Sequence, residues 1–166
     1  MILTTHAIVG AAAAKLFPQH YVLAFLAGFI SHFFIDAIPH WDYKLRSFKL
    51  DVENPLNSDM IFGLNFILDL LDIGFDFFLA LFLPFLIFGS AQLPQLLIVL
   101  CGLLGGILPD ALQFVYFKFR HEPLVSLQKF HGWIHTDIRL KSWKWGMFTQ
   151  FVLVAFVVWV SIKISF

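Results

Sequence analysis

Apolar residues in this chain fall into long blocks separated by short polar stretches, with no sustained alternation. The blocks cover residues 2–17, 21–38, 62–88, 95–117 and 145–164. A helix that crosses a bilayer needs about 20 largely apolar residues. Four blocks meet or nearly meet that length. The fifth, 2–17, is short and alanine-rich and stops before Pro18, which makes it a marginal span. Residues 62–88 carry three aspartates and Pro84, 95–117 are apolar apart from Asp110, and 145–164 read as uninterrupted. The pattern predicts an all-α fold: one polytopic membrane helix bundle of about five spans, a single domain over residues 1–166. A short interfacial helix is expected at 124–135, within the last polar loop.

Composition supports lipid as the solvent. The chain has 166 residues, of which 60% are hydrophobic and 13% charged, with 22 Phe and a mean hydropathy of +0.83. A soluble domain carries roughly 25% charged residues. Too little polar side chain remains to face water, whereas hydrogen-bonded helices are stable in lipid. Residues 1–17 lack a basic leader and a small-residue cleavage site, so they read as a span and not as a cleaved signal. The net charge of zero gives no basic field for nucleic acid. The single Cys101 excludes a disulfide framework and a thiolate cage, leaving His, Asp and Glu to hold any metal.

Basic residues set the orientation. Lys44, Arg46 and Lys49 lie in the loop 39–60, and Lys118, Arg120, Lys129, Arg139, Lys141 and Lys144 in the loop 118–144. Five spans place both loops on one side, leaving Lys15 and Lys163 for the other. The positive-inside rule then puts the loops and the N-terminus in the cytoplasm, in a multi-pass inner-membrane protein.

Ionisable residues inside spans are costly and mark functional sites by default. His6 sits in TTHAIVG. His32, Asp36 and His40 recur every fourth residue in HFFIDAIPHWD, which ends on Asp42. Asp69, Asp72 and Asp76 make one stripe, Asp110 closes GGILPD, and His131 and His135 form the HxxxH of HGWIHT. Side chains four apart on a helix share a face, about 5–6 Å apart at Cβ. That spacing lets two of them converge on one ion with bonds of about 2.0–2.2 Å. Each pair alone is equally compatible with helix packing or capping; it is the whole set, gathered toward one end of the spans, that points to a site. The candidate ligands are His6, His32, Asp36, His40, Asp42, Asp69, Asp110, His131 and His135. Asp72 and Asp110 are the candidate general bases, and Asp76 stays open among ligation, proton relay and support of a ligating imidazole. His20 and His121 read as surface residues. Asp51, Glu53, Asp59, Glu122 and Asp137 read as solvated charges, and Trp41, Trp133, Trp143 and Trp145 as interfacial anchors.

On TTHAIVG, HFFIDAIPHWD, GGILPD and HGWIHT, between Thr4 and Thr136, the chain resembles the YdjM-like family of bacterial membrane-bound, metal-dependent hydrolases. A fainter likeness reaches the zinc-dependent phospholipases C. Their H-x-x-x-D and following His would fall on His32, Asp36 and His40, while their later H-x-x-x-E meets His135 where a carboxylate is expected. Those enzymes also use their first residue as a ligand, a role that nothing in the sequence assigns to Met1 or His6.

The expected activity is hydrolysis assisted by one or more divalent ions, Zn²⁺ foremost because imidazole-rich sets favour it. A site at the cytoplasmic leaflet implies membrane lipids as partners and a lipid or lipid-linked phosphoester as substrate. Two rivals stand beside it: a His/Asp pathway transporting protons or a divalent cation, and a purely structural ion that staples the spans. The sequence does not fix the oligomeric state.

Overall fold

The computed structural model describes residues 1–136, 138 and 140–163; the sequence assignments at Asp137, Arg139 and residue 164 lie outside the described residues. The chain is mostly helical. Six α-helices run in the order α1 (Leu3–Ala14), α2 (Tyr21–Asp36), α3 (Leu64–Phe88), α4 (Leu93–Lys118), α5 (Leu124–Ile134) and α6 (Trp143–Ile162). The loop after α2 holds a small antiparallel pair, β1 (Phe48–Lys49) and β2 (Asp59–Met60), with Phe48 opposite Met60 and Lys49 opposite Asp59.

Three helices, α3, α4 and α6, are long and apolar enough to cross a membrane. By length and composition the structure shows these three among the described residues, and α1 and α2, the other two expected spans, are shorter apolar helices. At 1.5 Å per residue, α1 and α2 are only about 18 and 24 Å long, against a hydrocarbon core of about 30 Å. Each stops at a local signal. Beyond Ala14 the chain turns through Lys15 and Pro18, and α2 closes at Asp36, three residues before Pro39.

Instead of facing lipid, α1 forms the centre of the bundle. Ten of its twelve residues are buried, and it touches α2, α3, α4 and α6. At one end, the Lys15 ammonium donates to the Ser161 carbonyl at 2.8 Å and lies 5.7 Å from the Phe88 ring. The C-terminal ends of α1, α3 and α6 therefore gather on one side, and the start of α1, the end of α2 and the 106–110 turn of α4 meet on the other.

Glycine lets α4 press against both neighbours. A Cβ on Gly106 would stand 2.4 Å from the His6 carbonyl oxygen, and one on Gly28 would stand 2.2 Å from that of Gly102. Any side chain at these crossings would force the backbones apart, a use of small residues common between membrane helices. The close crossing is what brings His6, His32 and Asp110 within reach of one another.

The start of α1 has no cap of its own, and Ile2 offers no side-chain acceptor. Two distant residues supply one. Asp76 accepts from the Leu3 amide at 2.6 Å and the Thr4 amide at 3.2 Å, and also from the hydroxyls of Thr4 and Tyr43. Gln150 Oε1 accepts from the Ile2 amide at 3.1 Å and the Thr5 hydroxyl at 3.2 Å, while its amide donates to the Trp41 carbonyl at 3.0 Å. Orphan donors at a buried helix start need such partners. The apolar run of 145–164 is thus broken at Gln150 by a residue with a structural task, and Asp76, whose role the sequence left open, caps α1.

Candidate metal centre

Asp36 is the hub of the site. The last residue of α2, it is 1% exposed and lies one helical turn beyond His32. Its Oδ2 lies 3.1 Å from His32 Nε2 and 3.0 Å from His131 Nε2, which are themselves 3.3 Å apart. Asp110 Oδ1, from the last turns of α4, stands 3.7 Å from His32 Nε2. On the other side, Asp36 Oδ1 lies 3.2 Å from His6 Nε2 and 3.8 Å from His40 Nε2. The ligand atoms fall into two sets, each within 4.8 Å: His32, Asp36, Asp110 and His131; and Asp36, His40 and His135. Asp36 belongs to both.

These separations suit ion binding. A tetrahedral ion with bonds of about 2.0–2.2 Å holds its ligand atoms about 3.3–3.6 Å apart, and the first set clusters around that spacing. The imidazoles are also oriented for it. His32 Nδ1 faces the Gly106 carbonyl at 2.8 Å, His40 Nδ1 the Ile38 carbonyl at 2.7 Å, and His135 Nδ1 the Thr136 carbonyl at 3.0 Å. A carbonyl accepts only, so in each ring Nδ1 carries a proton and Nε2 is the nitrogen turned inward. This is the arrangement that orients ligating histidines.

Four buried atoms, His6 Nδ1, His6 Nε2, Asp36 Oδ1 and His40 Nε2, make no well-directed hydrogen bond, although His6 Nε2 lies 3.2 Å from Asp36 Oδ1, His40 Nε2 2.8 Å from Asp42 Oδ1 and the Met1 amino group 3.5 Å from Asp36 Oδ1. Buried polar atoms are normally satisfied, and leaving one unmade is expensive. The donor set therefore fits a cation. The His6 ring stacks on His32 with centroids 3.9 Å apart, which fixes its Nε2 toward Asp36.

Asp42 completes the second side. Its Oδ1 is 2.8 Å from His40 Nε2 and 2.7 Å from the Met1 amino group, and its Oδ2 is 3.7 Å from His135 Nε2. Burial alone would raise its pKa, but the neighbouring His40 and the amino group more than offset this and hold the carboxyl well below its usual range. Burial pushes the His135 imidazole down, favouring its neutral form.

Two of the sequence-selected residues sit elsewhere. Asp69 accepts from the Arg46 and Ser47 amides at 3.0 and 2.7 Å and from the Ser47 hydroxyl at 2.7 Å, while Asp72 pairs with Arg46 at 2.8 Å. The i, i+3 spacing does put both on one face of α3, but that face receives the loop and not the histidines. Neither carboxylate is grouped with the imidazoles, and the remaining candidate base is Asp110, 28% exposed at the rim. Asp59, expected to be a solvated charge, instead binds Lys118 at 2.8 Å and helps fasten the β1–β2 loop. His20 and His121 are exposed.

Gln150 and Tyr43 support the site without having been singled out in the sequence. A lone glutamine within an apolar block was the available signal for the first; Tyr43, in a loop, offered none. Compared with protein-family models, curated proteins and solved structures, the chain finds no match.

Proposed function

We propose that this protein is a membrane-embedded, metal-dependent hydrolase of YdjM-like type. Two divalent ions, zinc by preference, would be shared through Asp36: one among His32, Asp110 and His131, the other among His40, His135, Asp42 and His6. The observation that carries this reading is Asp36 itself, a buried carboxylate whose two oxygens face two separate groups of imidazole nitrogens. A pure packing role would leave the buried His6 Nε2 without a hydrogen bond.

Divalent cations in such a site supply Lewis acidity and make water a competent nucleophile near neutral pH. The chain's own groups do the rest. Asp110, partly exposed at the rim, would serve as the general base through whichever of its oxygens is left uncoordinated. His32, His40 and His135, each held through Nδ1 on a backbone carbonyl, keep the constellation from reorganising during reaction. Basic residues of the adjoining loops, Lys118, Arg120 and Lys129 among them, attract anionic headgroups at about 1 kcal/mol each near the surface. The substrate that fits this setting is a phosphoester of a lipid or lipid-linked molecule at the cytoplasmic leaflet of the inner membrane.

The test is hydrolysis of a chromogenic phosphodiester and of phospholipid vesicles by purified protein, with metal content measured on the same sample. Activity should vanish on chelation and return with Zn²⁺. Hydrolysis that persists undiminished in verified metal-free protein would end the proposal.

A further inference from the structure

The inner ligands of the centre are buried, and only Asp110, His135 and Asp42 reach its rim, 17–28% exposed. His6 and His32 are fully buried, and Asp36 and His40 are 1% exposed. Two clefts, of about 350 and 470 Å³, open along the 46–65 loop, and no histidine lines either of them. An ion-binding site needs a way in, so some element that contributes ligands must move. The glycine crossings hold α1, α2 and α4 backbone to backbone. Only α5 remains.

We infer that the second half of α5 is a lid: it hinges on its first turn, His131 and His135 latch it over the centre, and ions enter and leave when the latch opens. The inference rests on the metal reading above. At 11 residues, α5 is too short to be a stable helix by itself. Its first turn is anchored by apolar packing, with Leu124 and Val125 against Met60, Tyr116 and Phe117.

Its second half is held differently. The only buried residue of the helix is His131, while Trp133 points outward, 79% exposed. What fastens this half is ligand chemistry: His131 Nε2 to Asp36 at 3.0 Å and to His32 at 3.3 Å, and His135 Nε2 facing Asp42 at 3.7 Å. Ring contacts, Phe130 and His131 on Phe33 at 4.9 and 5.6 Å and His135 on His40 at 4.9 Å, and a backbone bond from the Thr136 amide to the Asp36 carbonyl at 3.0 Å add to it. Every one of these contacts lands on residues 32–42. Gly132 leaves open space on the lid, since a Cβ there would meet nothing within 4 Å. An apolar hinge at one end and a polar latch at the other make the lid's position depend on the charge between the ligands. Without a cation, what remains of the latch is the single contact of His131 Nε2 with Asp36 Oδ2 at 3.0 Å and its 3.3 Å approach to His32, so the bound ion adds most of what holds it shut.

Hydrogen exchange by mass spectrometry on the full chain in detergent, with zinc measured on each sample, tests this. Amides 130–136 should exchange at least about tenfold faster after chelation and recover on adding Zn²⁺, with α4 unchanged throughout. His131→Ala should exchange in zinc at the rate of the chelated wild type. Equal protection of 130–136 in protein shown to have lost its zinc overturns the lid and leaves the metal reading standing. A parallel rise across α4 overturns it too, because the ion would then hold the whole fold. Wild type that takes up no zinc overturns both.

Discussion

His131 and Asp36 stand 95 positions apart in the chain, yet His131 Nε2 lies 3.0 Å from Asp36 Oδ2. The approach joins α5, outside the bundle, to the buried end of α2. It places an imidazole and a carboxylate where neither has an apolar reason to be. Buried ionisable groups persist where something compensates their desolvation, and here five imidazoles surround one carboxylate from four different segments.

Asp36→Asn keeps the shape of the side chain and removes its charge. If Asp36 serves both ion positions, the substitution should lower zinc affinity at both by at least about tenfold. Zinc titration of the purified variant against wild type measures this, and an unchanged isotherm would remove Asp36 from the centre.

Gly106→Ala and Gly132→Ala form a contrasting pair. The new methyl at 106 meets the His6 carbonyl oxygen at 2.4 Å, while the one at 132 meets nothing within 4 Å. Overpacking of this kind costs about 1–3 kcal/mol. Gly106→Ala should melt earlier and bind zinc less tightly because His6 and His32 are pushed apart. Gly132→Ala should match wild type in both. Thermal melts with metal analysis decide.

Asp76→Ala removes the remote cap of α1. The Leu3 and Thr4 amides and the Thr4 and Tyr43 hydroxyls lose their acceptor, a loss of about 2–4 kcal/mol. Stability in detergent should fall by that order while the zinc content of the folded fraction stays at the wild-type level. Loss of zinc without loss of stability would place Asp76 among the ligands.

The sequence carried the site better than the membrane geometry. HxxxD in α2 and HxxxH at α5 put their side chains on one face by helical period alone, so their convergence could be read locally. The short α1 and α2 could not, because hydropathy does not separate burial in protein from burial in lipid. His6 shares its helix with ten buried residues and belongs to a core. The Asp69–Asp72 spacing was legible as a shared face; its partner was not, since Arg46 lies 23 positions from Asp69. Asp76 and Gln150 cap α1 across 72 and 145 positions or more, a relationship no local pattern encodes.

Arg46→Ala tests the reassignment of that stripe. It frees Asp69 and Asp72 from their ion pairs and loosens the loop 39–60. It should therefore accelerate proteolysis of the loop without changing zinc content. A fall in zinc to that of Asp36→Asn would place the stripe back in the centre.

The most direct measurement is the zinc content of the purified full chain after dialysis, compared with Asp36→Ala, His40→Ala and Asp69→Ala. Wild type and Asp69→Ala should each retain about two ions per chain, His40→Ala fewer, and Asp36→Ala almost none. Wild type without stoichiometric metal, or Asp36→Ala that keeps the full complement, would contradict a shared centre at Asp36.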